Sequence, residues 1–183
     1  MKSLVLLSGG MDSAAALAWV KGDDVVTLGF NHPARPKREI EAARRLAADA
    51  RRIEVPVDFL VTDDPSGYLP RRNLVYYAIA ASIAEREKCD RIVGGHLRTD
   101  YQGYADAGEP YLRSVEALAG VKIFLPLIAY TKMELILLAR RRGLSFEGTW
   151  SCFRDVPAPC RECFSCVDRR RSFEAVGLED PPQ

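Results

Sequence analysis

The sequence predicts an α/β fold built on a doubly wound parallel sheet. Three observations carry this reading: short runs that are apolar throughout, helical stretches between successive runs, and mostly short connections. A strand with one wetted face alternates apolar and polar residues, whereas a strand covered on both faces does not. A chain of 183 residues, 48% hydrophobic and 28% charged, has room for one domain or one domain with a small appendage. At that size roughly 70% of the unfolded surface is buried, enough for a core without disulfides.

The elements follow in order. Residues 2–7 read as a buried strand ending in Ser-Gly-Gly, and residues 13–21, rich in Ala and Leu, as a helix ended near Gly22. Residues 24–30 form a second strand. Residues 37–50 place Ile40, Ala43, Leu46, Ala47 and Ala50 on one helical stripe with Arg and Glu opposite. A third strand spans 53–60, interrupted at Pro56. Residues 74–87 are apolar nearly all round, so that helix is expected to lie deep. Residues 90–94 and 122–125 give the fourth and fifth strands, and 132–142 a helix capped by Gly143. From Phe146 onward the composition turns to Cys, Pro and Arg. The expected organisation is an α/β domain over 1–145, a small C-terminal segment over 146–178 packed on it, and a disordered tail over 179–183. No internal repeat or low-complexity segment is visible.

Charge and hydropathy exclude several classes. Lys and Arg number 26 against 25 Asp and Glu, a formal charge of +1, so neither a basic nucleic-acid surface nor an acidic tail dominates. Only six of the 26 cations are Lys. The excess of Arg suits bidentate grip on carboxylates and phosphates, or reflects a GC-rich coding bias. No apolar run spans a bilayer, and residues 4–7 are too short for a signal peptide. The expectation is a cytoplasmic chain with no membrane partner, its cysteines reduced or bound to metal.

Ser8-Gly9-Gly10-Met11-Asp12-Ser13 lies between the first strand and the first helix. A helix N-terminus leaves backbone N–H groups unpaired and carries partial positive charge. Glycines allow close approach of a phosphate, and Ser8 and Ser13 add hydroxyls. With no Gly-Lys-Ser/Thr, this is not the common P-loop. Asp12 suits Mg²⁺, a hard cation that takes oxygen ligands, or caps the first helix.

Of five cysteines, Cys89 stands alone and reads as a buried small hydrophobe. Cys152, Cys160, Cys163 and Cys166 lie close together, the last three as C-x2-C-x2-C. Four thiolates complete a tetrahedral shell around one ion, a closed structural zinc site. An iron–sulfur cluster also takes four cysteines and stands as the alternative. The ion would pin a segment too short to hold a core of its own.

The hexamer after an apolar strand resembles the pyrophosphate loop of N-type ATP pyrophosphatases, whose fold is Rossmann-like, of the adenine nucleotide alpha hydrolase-like type. The resemblance implies that Ser8, Gly9, Gly10, Asp12 and Ser13 hold the pyrophosphate end of ATP. It also places adenine beside the end of the second strand, where Thr27 and Phe30 would lend backbone groups. Three further segments narrow it. Leu69-Pro70-Arg71-Arg72-Asn73-Leu74 is similar to a Pro-Gly-Arg-Asn-Leu motif. Thr99-Asp100-Tyr101-Gln102-Gly103-Tyr104-Ala105-Asp106 is similar to a Thr-Asp…Gly-Tyr-Pro-Asp loop. Thr149-Trp150-Ser151-Cys152 with the three later cysteines matches a Thr-x-Ser-Cys…Cys-x2-Cys-x2-Cys ending. Together they resemble the 7-cyano-7-deazaguanine synthase family over essentially the whole chain.

That resemblance implies adenylation of a 7-deazaguanine carboxylate, amidation with ammonia, then a second activation and dehydration to the nitrile. The products beside it would be AMP and pyrophosphate, or ADP and phosphate. Arg72 would clamp a carboxylate or phosphate, and Asn73 would hydrogen-bond the ring. Asp100 or Asp106 would bind Mg²⁺ or take a proton from the amine. Lys132 would touch pyrophosphate, and His96 lies near enough the crevice to line it. A homodimer is implied as well. The chain departs from the family's pattern at Ala105 for Pro, at Ala107 for Cys, and at Ala34-Arg35-Pro36 for Gln-Arg-His. Only residues 62–68 bridge the third strand to the Arg-Asn motif, where the family is longer. A variant that stops at the amide, or passes the activated base to another amine such as one on a protein, is therefore a second expectation. Two rivals stand further off. A tRNA-modifying relative needs a broad basic face that the charge of +1 does not supply, so direct nucleic-acid binding is not expected. A zinc-bound interaction module without chemistry does not need the intact loop.

Overall fold

In the computed structural model, five strands form one parallel sheet in the order β3-β2-β1-β4-β5. The structure describes residues 1–48, 50–61 and 68–183, and the backbone alone of Tyr101. The strands are β1 (Lys2–Leu6), β2 (Asp24–Asn31), β3 (Arg51–Pro56), β4 (Arg91–Val93) and β5 (Ile123–Phe124). The helices are α1 (Met11–Trp19), α2 (Lys37–Ala47), α3 (Arg72–Arg86), α4 (Glu109–Ala119), α5 (Lys132–Arg141) and α6 (Phe164–Ala175). Among the described residues no helix is long and apolar enough to cross a membrane.

Side-chain alternation along the strands sorts the core into two layers. Leu4, Leu28 and Ile92 face Tyr77 and Ala80 of α3 and Leu112 and Val115 of α4. Val5 and Val93 face Met11 and Ala15 of α1, Leu135 and Ile136 of α5, and Phe173 of α6. Ala43 and Ala47 of α2 pack with Leu7 on the α1 side. The chain therefore winds β1-α1-β2-α2-β3 along one face and crosses to the other through α3. The direction of winding reverses between β1 and β4, and a crevice opens there at the C-terminal strand ends.

Several expectations are corrected. β3 starts earlier and stops at Pro56, because proline cannot donate to the ladder and β3 is an edge strand. α3 is not deep all round: Tyr77, Ala80 and Ala84 are buried while Leu74 is exposed. α4 was absent from the expectation, although Pro110 in its first turn and Gly120 just past its end mark it. The closing residues are no disordered tail. The Asp180 carboxylate accepts from Arg169 Nε at 2.7 Å, the Pro182 carbonyl from Gly148 N–H at 2.9 Å, and Gln183 Oε1 from Ser151 N–H at 2.9 Å. Residues 62–67 of the shortened connection lie outside the described residues.

Candidate active site

The loop between β1 and α1 is pinned from three sides. Inside it, Gly9 N–H donates to Ser13 Oγ at 3.2 Å and Gly10 N–H to Ser8 Oγ at 3.2 Å. Serine hydroxyls thus hold backbone donors that the oxygens of an anion can take over. From the β2 side, the buried Arg35 guanidinium donates to the Phe30 carbonyl at 2.6 Å, to Asn31 Oδ1 at 3.0 Å and to the Ser8 carbonyl. From the C-terminal segment, Trp150 N–H donates to the Gly9 carbonyl at 2.9 Å.

Two joined lobes open above the loop. The smaller, about 360 Å³, lies against Gly29, Phe30, His32 and Trp150 at the end of β2. The larger, about 960 Å³, lies against Asn73, Gly95, His96 and Asp100 at the end of β4. Ser8, Asp12, Arg72 and Lys132 border both. The structure therefore brings together Ser8, Gly10, Asp12, Ser13, Phe30, Arg72, Asn73, Asp100 and Lys132.

Three expected residues stand elsewhere. Thr27 is fully buried in mid-strand, paired with Val5 and Arg52, and borders neither lobe. Gly9 also borders neither. Its φ is +104°, and a Cβ there would lie 2.8 Å from the Ala43 amide nitrogen, so glycine is demanded by the approach of α2. Asp106 is buried behind the lobe, where its Oδ2 accepts from Asn73 N–H at 3.0 Å. There it satisfies an orphan backbone donor in the first turn of α3. Arg71, where the resembled motif has Gly, takes a left-handed φ of +58°.

Asp12 is not the cap of α1, whose N-cap residue is Gly10. Its carboxylate accepts from Lys132 Nζ at 2.8 and 2.6 Å. Burial works against the Lys132 charge, but Asp12 outweighs it and holds the ammonium above its ordinary range. Burial raises the Asp100 carboxyl to about 6, although its Oδ2 accepts from Leu97 N–H at 2.9 Å. Ser165, Asp168 and Arg171 of α6 also border the larger lobe. Sequence reading missed them, though their three-residue spacing beside Cys166 places them on one helical face.

The four sulfurs of Cys152, Cys160, Cys163 and Cys166 lie within 4.8 Å of one another. A tetrahedral ion with bonds of about 2.3 Å to sulfur holds its thiolates about 3.8 Å apart. Backbone N–H groups of Arg154 and Cys160 donate to Cys152 Sγ, and that of Cys163 to Cys160 Sγ, all at 3.4 Å. Such donors favour thiolates. The donor set fits a single ion. A cluster that gives each thiolate its own iron would hold the sulfurs farther apart.

The family model described as "Queuosine biosynthesis protein QueC" matches residues 2–62 and 50–177. The chain belongs to this family. The 7-cyano-7-deazaguanine synthase of a Nitratiruptor species is 32% identical, covering 98% of this chain and 97% of its own. That of Synechococcus sp. (strain CC9311) is 34% identical, covering 97% and 95%. The Nitratiruptor alignment runs over 213 positions against 183 residues, so that relative carries residues that this chain lacks. The two matched segments meet around β3, beside the shortened connection. Among solved structures, the U34-tRNA thiolase NcsA of Methanococcus maripaludis, with its [4Fe-4S] cluster, aligns at a TM-score of 0.52. It is 18% identical and the match covers 94% of this chain and 63% of the thiolase, a likeness of fold alone.

Proposed function

We propose that the chain adenylates 7-carboxy-7-deazaguanine with ATP, converts it to the amide with ammonia, and dehydrates the amide to the nitrile after a second activation. A carboxylate oxygen is a poor leaving group. Transfer of AMP to that oxygen, with loss of pyrophosphate, makes AMP the group that ammonia displaces. In the second round the amide oxygen takes AMP and departs with it as the nitrogen loses its protons. The observation that carries this reading is the meeting of two lobes at one loop. Ser8, Gly10 and Ser13 offer donors to pyrophosphate, and Phe30 borders the adenine side. Asn73 and Asp100 border the side open to the acid.

Four charged residues have a place in this scheme. Arg72, between the lobes, balances charge on the joined acid and phosphate, a preorganised electrostatic role. Lys132 is set for the departing pyrophosphate, with Asp12 holding it until then. Asp100 and Asp12 are the oxygen donors available to Mg²⁺, which would neutralise phosphate charge. The cysteine site would hold Zn²⁺, whose closed shell supplies a cross-link and no chemistry.

One observation favours the variant reading. Ala107, at the family's cysteine position, borders the larger lobe, so the departure falls on the wall that faces the acceptor amine. Incubation with ATP, the acid and ammonia, followed by mass measurement, decides between the two. The nitrile is expected; accumulation of the amide alone would move the assignment to the variant that stops there, and an acid left unchanged with ammonia would refute ammonia as the acceptor in both.

A further inference from the structure

His96 is held by its neighbours with little freedom. A Cβ on Gly95 would lie 2.7 Å from the Asp12 carbonyl oxygen and 2.9 Å from Ser13 N, so the chain here touches the backbone of the loop. On the other side, Leu97 N–H donates to Asp100 Oδ2 at 2.9 Å and the Leu97 side chain is buried. Between these two pins the imidazole borders the larger lobe. Among the described residues none hydrogen-bonds its ring. Behind it stands Tyr77, 5.8 Å between ring centroids, whose fully buried hydroxyl has no partner among the described residues. Burial and the Arg72 charge depress the imidazole to about 4, so it enters the lobe neutral, with one donor and one acceptor nitrogen.

The geometry points to His96 as a specificity-determining contact that reads a polar ring edge of the heterocyclic substrate. The inference rests on the larger lobe being the deazaguanine site. A deazaguanine carries a pyrrole N–H donor and ring acceptors, and a neutral imidazole can meet either kind. A partner fixed in the lobe wall discriminates, because an analogue lacking the matching group leaves the imidazole unpaired. Arg72 and Asn73 on α3 border the same lobe. An imidazolium in this place would be repelled by Arg72 and could only donate.

The chain has two histidines, so ¹⁵N-histidine spectra of the wild-type protein carry two imidazoles, assigned with a His32→Asn variant. Adding 7-carboxy-7-deazaguanine is expected to move the His96 nitrogens, whereas ATP with Mg²⁺ moves those of His32 in the smaller lobe. His96→Phe is expected to raise KM for the acid about tenfold or more, with KM for ATP and metal content unchanged. His96→Gln, which keeps a donor and an acceptor, should recover part of the loss. Acid that binds without moving the His96 nitrogens would overturn the inference alone, as would a Phe variant that raises both KM values alike. Acid that fails to bind the wild-type protein would overturn both this inference and the functional reading beneath it.

Discussion

Removing the metal from the cysteine site, by chelation or by Cys160→Ser, is expected to weaken ATP binding at least tenfold and to lower the melting temperature on the order of 10 °C. The reason is position. Cys152 lies two residues beyond Trp150, whose indole N–H donates to the Cys152 carbonyl at 2.8 Å and whose backbone N–H holds the Gly9 carbonyl. Ser151, Cys152 and Phe153 border the smaller lobe. Cys163 caps α6, and Cys166 lies within it. One turn on, Arg169, 1% exposed, donates to Thr149 Oγ1 at 2.8 Å and to Asp180 at 2.7 Å. Loss of an ion held by these sulfurs would free the segment that borders the smaller lobe. Structural zinc contributes about 10–16 kcal/mol in isolated finger peptides. A segment that also packs on α5 and α2 should lose less, about 3–5 kcal/mol, and a chain of this size loses about 2–4 °C per kcal/mol. Metal analysis, titration calorimetry with ATP and thermal melts check this. A metal-free protein that melts within 2 °C of the parent and binds ATP equally well would contradict it (roughly the shift expected from less than 1 kcal/mol).

Gly9→Ala is expected to cost about 2–6 kcal/mol, against about 1–3 kcal/mol for Gly22→Ala. Both glycines have nearly the same positive φ, +104° and +108°. Both substitutions therefore carry the strain of a side chain in the left-handed region. At Gly22 a Cβ meets nothing within 4 Å, so strain is the whole effect. At Gly9 it meets the backbone of α2 at Glu39 and Ala43, atoms that move only with their helix. The added overlap is of the overpacking kind, about 1–3 kcal/mol. It also displaces Gly10 and Ser13, so ATP affinity should fall in Gly9→Ala and hold in Gly22→Ala. Paired denaturation curves and calorimetry measure both. Equal losses of stability in the two variants would mean that the contact with α2 is not real.

Much of this architecture was legible because the signals were local. Buried parallel strands read as unbroken apolar runs, the glycines marked the loop, and the cysteine spacing marked the four-sulfur cluster. The sequence is less legible where a distant partner decides. Thr27 sits on the right strand, but register places it in mid-sheet, and only the last residues of β2 reach the cleft. Asp106 reads as a reactive carboxylate in its loop, and only the fold shows it accepting from the Asn73 backbone N–H. α6 has a narrow buried face of Cys166, Arg169, Ser172 and Phe173, too polar to announce a helix by hydrophobic spacing. The closing residues look solvated in the sequence because their anchor, Arg169, is buried only once the cysteine segment has folded over it.

The central claim is that the loop at residues 8–13 primes a carboxylate oxygen with the AMP part of ATP. Acid-dependent exchange of labelled pyrophosphate into ATP, with ammonia left out, tests it most directly. Label is expected to enter ATP only when 7-carboxy-7-deazaguanine and Mg²⁺ are both present. Protein that binds Mg·ATP and the acid yet returns no label to ATP would contradict it.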